Sequence, residues 1–443
     1  MKRNPKVAEK KKKQIISVEQ IPVNYSEASY SEVEGTQEIQ AVTKATEKQT
    51  EQTEEIKVEP APEIVSDVNV AMSRISQTMS KQFGEKSMMY LKEHPDYTKV
   101  HNWISTQNAA IDWICSGKAD GTGGLPVGRI IELFGDPSSG KSLLLTQILA
   151  EVQVRGGIPV LYDAETTFDG LFAQRVGLDV NNLMYSKCYK DAIRKKMILG
   201  KEGKLTSQMI EVRIPSTVEQ LKNEIEELID ITYHEFPGVL LVIGLDSVAA
   251  LSTAHELKEP DKKDLTKASE IRSFVKMLEA KMADQNCVFI ATNHVIANIN
   301  ITNRWEKKDK IKEGPVEAKA APGGSGLPFG SSVRLDLTRG HDIKEQKIFT
   351  VGHEIFVYTH KNKVYPARKT AVVEMRFDSG MDRYSGLLEI LIAKEVIEEL
   401  GDKIYRYKGT RFKEKAMTQP KYIGLRELIE KHPEILTLAN DLL

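Results

Sequence analysis

The stretch Gly135-Asp136-Pro137-Ser138-Ser139-Gly140-Lys141-Ser142 constrains this chain more than any other. It directly follows the apolar run Arg129-Ile-Ile-Glu-Leu-Phe134 and opens onto the periodic run Leu143-Leu-Leu-Thr-Gln-Ile-Leu149. A buried strand that feeds a glycine-rich turn and then a helix makes a phosphate cradle. Gly135 and Gly140 let the backbone turn tightly with its N–H groups inward, Lys141 brings a mobile cation to the β- and γ-phosphates, and the Ser142 hydroxyl can ligate Mg²⁺. An ordinary Gly/Ser-rich loop is the alternative, and the strand before and helix after speak against it.

Composition bounds the rest. With 443 residues and 40% apolar content the chain can bury a large core and is expected to hold more than one domain. The formal net charge of −1 gives no global basic signature, so nucleic-acid binding has to come from local clusters. Cys115, Cys188 and Cys287 lie far apart with no Cys-x-x-Cys pair, which argues against a disulfide framework or zinc site and fits a reducing compartment. No apolar run reaches spanning length and the N-terminus lacks a signal-like segment, so a cytoplasmic, soluble protein without a membrane partner is expected.

The first 65 residues, rich in Lys, Glu, Gln, Thr and Pro, read as a disordered tail, and the run Lys10 to Lys13 in it reads first as a solvated charge run. Apolar residues at helical spacing (Val70, Met72, Ile75, Met79, Phe83) predict a helix over 68–91. From residue 100 on, runs at 130–134, 160–162, 239–245, 288–292, 333–337, 355–358 and 371–376 read as strands between longer amphipathic stretches. That alternation predicts an α/β fold with a mostly parallel central sheet.

Three strands end in chemistry. Asp246 closes 239–245 where a nucleotide-hydrolysing fold needs an acid to organise magnesium; a lone Asp there would otherwise read as a helix cap. Asp163 and Glu165 follow 160–162 at the edge where ligands of parallel sheets bind, and Glu165 is the candidate base that orients an attacking water. Asn293 and His294 follow 288–292 as candidate γ-phosphate sensors, although a lone His is more often structural.

The order of these pieces, continued by Asp163-Ala-Glu165, Phe168-Asp169, Asp246-Ser-Val-Ala-Ala-Leu251, Ser332-Val-Arg-Leu-Asp336 and Lys361-Asn-Lys363, closely resembles the RecA family of strand-exchange recombinases. The likeness runs from about Asn102 to the end, where Tyr405-Arg-Tyr-Lys-Gly409 resembles the family's small C-terminal domain. Lys267-Ala-Ser-Glu-Ile-Arg272 and Ala291-Thr-Asn-His294 lean toward phage recombinases of the UvsX kind. The resemblance implies a RecA-type P-loop ATPase core over 102–382, an oligomerisation segment over 66–101 and a C-terminal α/β domain over 383–443. It implies ATP and Mg²⁺ as cofactors, with Gly135 through Ser142 as phosphate loop, Glu165 as catalytic glutamate and Asp246 as magnesium-organising acid.

It further implies that Asp169 and Phe172 contact the adenine, and that Lys361 and Lys363, otherwise two ordinary surface lysines, reach the ATP of an adjoining protomer. DNA contact falls on two loops. The first holds Lys258, Lys262, Lys263 and Lys267; the second, 298–326, holds Asn303, Arg304, Lys307, Lys308, Lys310, Lys312, Lys319, Gly323 and Gly324. A solvated insertion is the plainer account of so long a loop, but its cations and amides suit phosphates, and Ile299, Ile301 or Trp305 suit wedging between bases.

The implied activity is DNA-dependent ATP hydrolysis by a homo-oligomeric helical filament on single-stranded DNA, exchanging strands with duplex in recombination and repair. Loader and single-strand-binding proteins are the expected further partners, in the host cytoplasm if the gene is a phage's. A hexameric RecA-fold helicase and a non-hydrolysing filament scaffold stay as alternatives. The segment 191–215 reads as an insertion without a physical account, and His294 stands where bacterial members carry a glutamine.

Overall fold

The computed structural model describes residues 67–84, 87–199, 205–259, 266–283, 285–294, 324–346, 348–415 and 423–441. The tail 1–65 lies outside them, as do Lys262, Lys263, Ile299, Ile301, Asn303, Arg304, Trp305, Lys307, Lys308, Lys310, Lys312, Lys319 and Gly323. Residue contacts divide the chain into two units, 1–88 and 89–443.

In the first unit helix α1 (Val68–Phe83) starts where the Asp67 carboxylate accepts the Asn69 N–H, and it stops at Gly84. The helix is shorter than the predicted 68–91 because Gly84 takes a φ of 99°, which breaks the helical ladder.

The second unit opens with β1 (Trp103–Ile104), α2 (Ala109–Ser116) and β2 (Leu125–Pro126), β1 and β2 pairing antiparallel. Then come β3 (Ile130–Gly135), α3 (Lys141–Val154), β4 (Ile158–Asp163), α4 (Gly170–Arg175) and β5 (Met184–Ser186). The segment 191–215 is a hairpin of β6 (Tyr189–Leu199) and β7 (Leu205–Pro215), paired antiparallel from Tyr189↔Pro215 to Leu199↔Leu205 and separate from the central sheet. On its second strand the partly covered Ile210, Val212 and Ile214 alternate with exposed Met209, Glu211 and Arg213, the period of a half-covered strand.

The chain continues through α5 (Val218–Glu235), β8 (Leu241–Asp246), α6 (Ala254–Lys258), α7 (Lys267–Met282), β9 (Cys287–His294) and α8 (Gly326–Gly330). Next are β10 (Val333–Glu345), β11 (Phe349–Asn362), β12 (Thr370–Arg376) and β13 (Gly380–Met381). The central sheet has the order β13-β12-β11-β10-β3-β9-β8-β4-β5. Its strands from β10 to β5 run parallel, and β11 to β13 add an antiparallel edge, so the mostly parallel α/β sheet expected from the sequence is observed.

Successive strand residues feed opposite cores. Val242 packs with Ile131, Leu144 and Ile148 under α3, whereas Leu241 and Ile243 pack with Phe289, Ile225 and Leu278 under α5 and α7. The predicted 333–337 and 355–358 are the buried parts of a longer hairpin, whose outer residues are mostly polar or exposed.

The C-terminal region holds α9 (Leu387–Ala393), a small sheet of β14 (Glu398–Gly401), β15 (Ile404–Tyr407), β16 (Thr410–Lys413) and β17 (Ile423–Gly424), then α10 (Leu425–Lys431) and α11 (Glu434–Leu438). Its Phe412, Leu428 and Ile435 belong to the same apolar cluster as Leu144. The Ala119 N–H donates to Asn440 Oδ1, and Trp113 Nε1 donates to the Ala439 carbonyl at 3.0 Å.

Candidate nucleotide site

The turn between β3 and α3 can be built only with glycines. A Cβ on Gly135 would lie 2.0 Å from the Leu337 carbonyl oxygen; one on Gly140, which enters α3 at φ 88°, would lie 2.4 Å from Ile355 Cδ1. The resulting loop turns its backbone toward the first turn of α3, where orphan N–H groups and the helix dipole favour an anion. Lys141 curls over the loop, its Nζ donating to the carbonyls of Gly135 (3.1 Å) and Asp136 (2.7 Å). Burial lowers the Lys141 pKa, against the raising influence of Asp246, Glu165 and Asp136.

A cavity of about 530 Å³ opens over this loop. Residues 137–143 form its floor, Glu165, Phe172, Asp246 and His294 one wall, and Arg339, His353, Met375, Arg376 and Phe377 the other. Among the described residues Ser139 Oγ, on this floor, is buried with no hydrogen-bond partner, as suits a surface that binds a polar ligand.

Adjoining strand ends bring the carboxylates together. The backbone N–H groups of Ala164 and Glu165 both donate to the Asp246 carbonyl, at 2.7 and 3.2 Å, which locks the end of β4 onto that of β8. Asp246 accepts hydrogen bonds from the hydroxyls of Ser142 and Thr292. Burial raises its pKa, the two hydroxyls oppose this, and Glu165 and Asp163 add to the rise. Glu165 Oε1 accepts from Ser247 Oγ at 2.5 Å and lies 2.7 Å from His294 Nε2. Burial alone would raise its pKa, but the bonds from Ser247 and His294, with the Lys141 charge, hold it below the usual carboxylate value. An ionised Glu165 therefore faces the phosphate end of the cavity.

Other candidates take different places. Asp163 is buried, its Oδ2 accepting from Phe168 N–H (3.0 Å) and Tyr185 Oη (2.9 Å), so it shapes the turn that presents Glu165. Asp169 caps α4 by accepting the Leu171 and Phe172 N–H groups, which brings Phe172 to the cavity while Asp169 itself does not line it. Asn293 and His294 are neighbours on β9 and so face opposite ways. His294 reaches Glu165, whereas Asn293 is buried on the far face with its Nδ2 3.0 Å from Glu132 Oε1, apart from the cavity.

Lys361 also stands apart from the cavity, its Nζ held by the carbonyls of Pro328 (3.0 Å) and Phe329 (2.7 Å), and Lys363 lines a separate cleft with Lys118 and Arg129. Lys258 ends α6 exposed, and Lys267 Nζ donates to the Ala249 carbonyl at 3.1 Å. Gly324, at φ 77°, abuts Ala268, and Gly326 abuts Arg272, so the far end of the second loop leaves beside the start of α7.

Sequence reasoning missed the wall of Arg339, His353, Met375, Arg376 and Phe377. These residues come from β10 to β12 and the turn after them, about 200 residues beyond the phosphate loop, and only the half-exposed aromatic Phe377 after a strand gave a local signal. The ring of His353 sits 5.8 Å from that of Phe377, and its burial, with Arg339 nearby, lowers its pKa.

The donors fit magnesium. Ser142 and Asp246 offer a hydroxyl and a carboxylate beside the phosphate loop, and among the described residues no group of three or more His, Cys, Asp or Glu forms a cage. Mg²⁺ typically takes one or two carboxylates and completes its shell with phosphates and water.

Comparison with known proteins agrees with this architecture. The RecA N-terminal domain family matches residues 67–197 and 201–382. Protein RecA of Wolbachia sp. subsp. Drosophila simulans is 29% identical over 381 residues, covering 85% of this chain and 91% of that protein. Protein RecA of Wolbachia pipientis subsp. Culex pipiens is 28% identical over 380 residues, with the same coverage. Protein RecA of Chlamydia trachomatis serovar L2 is 29% identical over 344 residues, covering 76% of this chain and 82% of that protein. Matched by this family model over most of its length, the chain belongs to the RecA family.

Proposed function

We propose that this protein is an ATP-dependent recombinase that polymerises on single-stranded DNA and exchanges strands with a homologous duplex in recombination and repair. One observation carries the reading: Lys141, Ser142, Glu165, Asp246 and His294 converge on one cavity in a chain of the RecA family. The relatives named Protein RecA cover most of the chain, which does not favour a hexameric helicase or a scaffold.

In this reading the loop N–H groups and Lys141 bind the β- and γ-phosphates of ATP, and Lys141 leaves its perch on the Gly135 and Asp136 carbonyls to do so. Ser142 and Asp246 would hold Mg²⁺, which when bound neutralises charge on the phosphates. Glu165, ionised and fixed by Ser247 and His294, orients the attacking water. Asp169 and Phe172 are assigned to the adenine, Phe172 lining the cavity and offering a stacking face and Asp169 capping the helix that presents it.

His294 ends β9, and the chain runs on from it into 295–323, so Glu165 is one contact away from the loop proposed to grip DNA. Lys258, Lys262, Lys263, Lys267, the cations from Arg304 to Lys312 and the backbone amides of Gly323 and Gly324 are assigned to DNA phosphates. Contacts to phosphate rather than base edges leave sequence comparison to base pairing. Lys361 and Lys363 are assigned to the ATP of an adjoining copy; Phe329, 74% exposed beside Lys361, supports a copy-to-copy contact there. The apolar stripe of α1 is assigned to the adjoining copy as well.

We assign 1–65 to a tail, 66–101 to assembly, 102–382 to the ATPase core and 383–443 to a C-terminal domain, with loader and single-strand-binding proteins as partners. The segments 267–272 and 291–294 support a phage-type member acting in a host cytoplasm. Among the described residues no helix is long and apolar enough to cross a membrane.

The test is ATP hydrolysis with and without single-stranded DNA, followed by strand exchange between homologous substrates. Exchange without unwinding supports the recombinase. Directional unwinding would assign a helicase, and neither activity would assign a scaffold.

A further inference from the structure

A line of polar side chains crosses four adjacent strands on the face of the sheet opposite α3. Lys361 on β11 is the register partner of Arg334 on β10, Arg334 is that of Glu132 on β3, and Asn293 lies diagonally across on β9. Glu132 is fully buried, its Oε2 accepting from Arg334 Nε at 2.5 Å and its Oε1 from Asn293 Nδ2 at 3.0 Å. The Arg334 guanidinium lies 4.4 Å from the centre of the Phe134 ring. The Lys361 ammonium is lodged on the Pro328 and Phe329 carbonyls; burial and the charges of Lys363 and Arg334 lower its pKa, and Glu132 and Glu279 oppose this.

A carboxylate taken wholly out of water needs a cation and hydrogen bonds to both oxygens, and here it has them. A buried pair is weak evidence for stability, since apolar residues of similar size often do as well. The ends of the row suggest what it is for. At one end stands Lys361; at the other, Asn293 precedes His294, whose contact with Glu165 fixes the end of β9 at the nucleotide cavity.

We propose that Glu132, Arg334 and Asn293 are positioning residues that hold Lys361 in register with the end of β9, so that nucleotide state at one cavity and contact with the adjoining copy are felt together. This rests on the reading of Lys361 as the cation that reaches an adjoining ATP. Hydrogen bonds join Arg334, Glu132 and Asn293, while Lys361 adjoins this set through strand pairing with Arg334 and through charge.

The experiment compares full-length Glu132→Gln, the double variant Glu132→Met/Arg334→Met, Lys361→Met and Lys361→Met/Glu132→Gln with the parent. Three readouts are needed: binding of a fluorescent ATP analogue without DNA, the ratio of DNA-stimulated to unstimulated turnover, and assembly on single-stranded DNA by light scattering. Analogue binding is expected within about twofold of the parent in Glu132→Gln and in the double Met variant, while stimulation and assembly fall about tenfold in Glu132→Gln. The double Met variant leaves no lone buried charge and keeps the fold, so it is expected to fall likewise even if Glu132→Gln does not fold.

Adding Glu132→Gln to Lys361→Met should cost nothing more, because the two act through one group. Unchanged stimulation in the double Met variant, or a further fall in the combined variant, would overturn the proposal by making the row purely structural. A parent that neither assembles nor responds to DNA would instead sink the recombinase reading itself.

Discussion

The C-terminal edge of the parallel strands and the polar row beneath it use charge in different ways. At the edge, β4 and β8 stay apolar until their last residues, and Asp246, Glu165 and His294 stand where a ligand can meet them. In the row, Glu132 sits inside the apolar strand Ile-Ile-Glu-Leu-Phe-Gly and never meets solvent. Glu165 and His294 at the edge are partly exposed and Asp246 borders the same cavity, so losing one should cost activity. Charge in the row is already matched within the protein, so losing half of it should cost stability first.

The largest expected effect tests the edge. Lys141→Ala should lower ATP turnover by about 10³-fold, since it removes the cation aimed at developing phosphate charge, with little change in melting temperature. Glu165→Gln keeps the shape of the wall and should lower turnover about 10²-fold while binding of a fluorescent ATP analogue persists. Undiminished hydrolysis in this variant would move the base elsewhere. If either variant unfolded near room temperature in calorimetry, the edge would be structural and the contrast with the row would fail.

The row makes the opposite prediction. Glu132→Ala leaves Arg334 buried beside Phe134 without its carboxylate and should destabilise the protein by about 3–5 kcal/mol in urea unfolding. A loss below about 1 kcal/mol would mean that water reaches the site and that the charge is not held as the geometry implies.

How much of this was legible beforehand follows from the distance over which each feature is encoded. The phosphate loop is local: eight consecutive residues between a strand and a helix, so Gly135 to Ser142 could be read directly. Asp246 and Glu165 end apolar runs, again a local signal. The opposite wall was illegible because Arg339, His353 and Phe377 reach the cavity only through the β10 to β12 hairpins, whose pairing no short window encodes. Asn293 departs from the expectation for a simpler reason: next to His294 on a strand it faces the other way, toward Glu132. The hairpin at 189–215 shows strand alternation only over 209–214, and the facing strand Tyr189–Leu199 carries Lys190, Asp191, Arg194, Lys195 and Lys196, so the segment read only as an insertion.

A smaller effect sharpens the edge. His294→Ala removes one of the two bonds to Glu165 and leaves Ser247 in place, so turnover should fall by about tenfold at most, less than in Glu165→Gln. If the two variants were equal, His294 would itself act on the γ-phosphate rather than hold Glu165.

The smallest effect concerns a third arrangement, a buried carboxylate with no cation. Asp112 on α2 is held by Ser105 Oγ at 2.5 Å and by the Thr106 N–H and Oγ1 at 2.7 Å each. Burial pushes its pKa up to about 7 from an ordinary 3.8, against the lowering influence of those bonds. Below 3.8 the group is protonated both folded and unfolded; between 3.8 and 7 only the folded chain keeps the proton, so stability declines as pH rises through that window and levels off above it. Asp112→Asn copies the protonated form, its amide able to donate to Ser105 Oγ while its oxygen still accepts from Thr106, and at pH 5 it should cost no more than about 1 kcal/mol. Urea midpoints at pH 5 and pH 7.5 should converge in the variant relative to the parent; an unchanged difference would mean that Asp112 is ionised in the fold and that its hydroxyl and backbone donors alone can hold a buried charge.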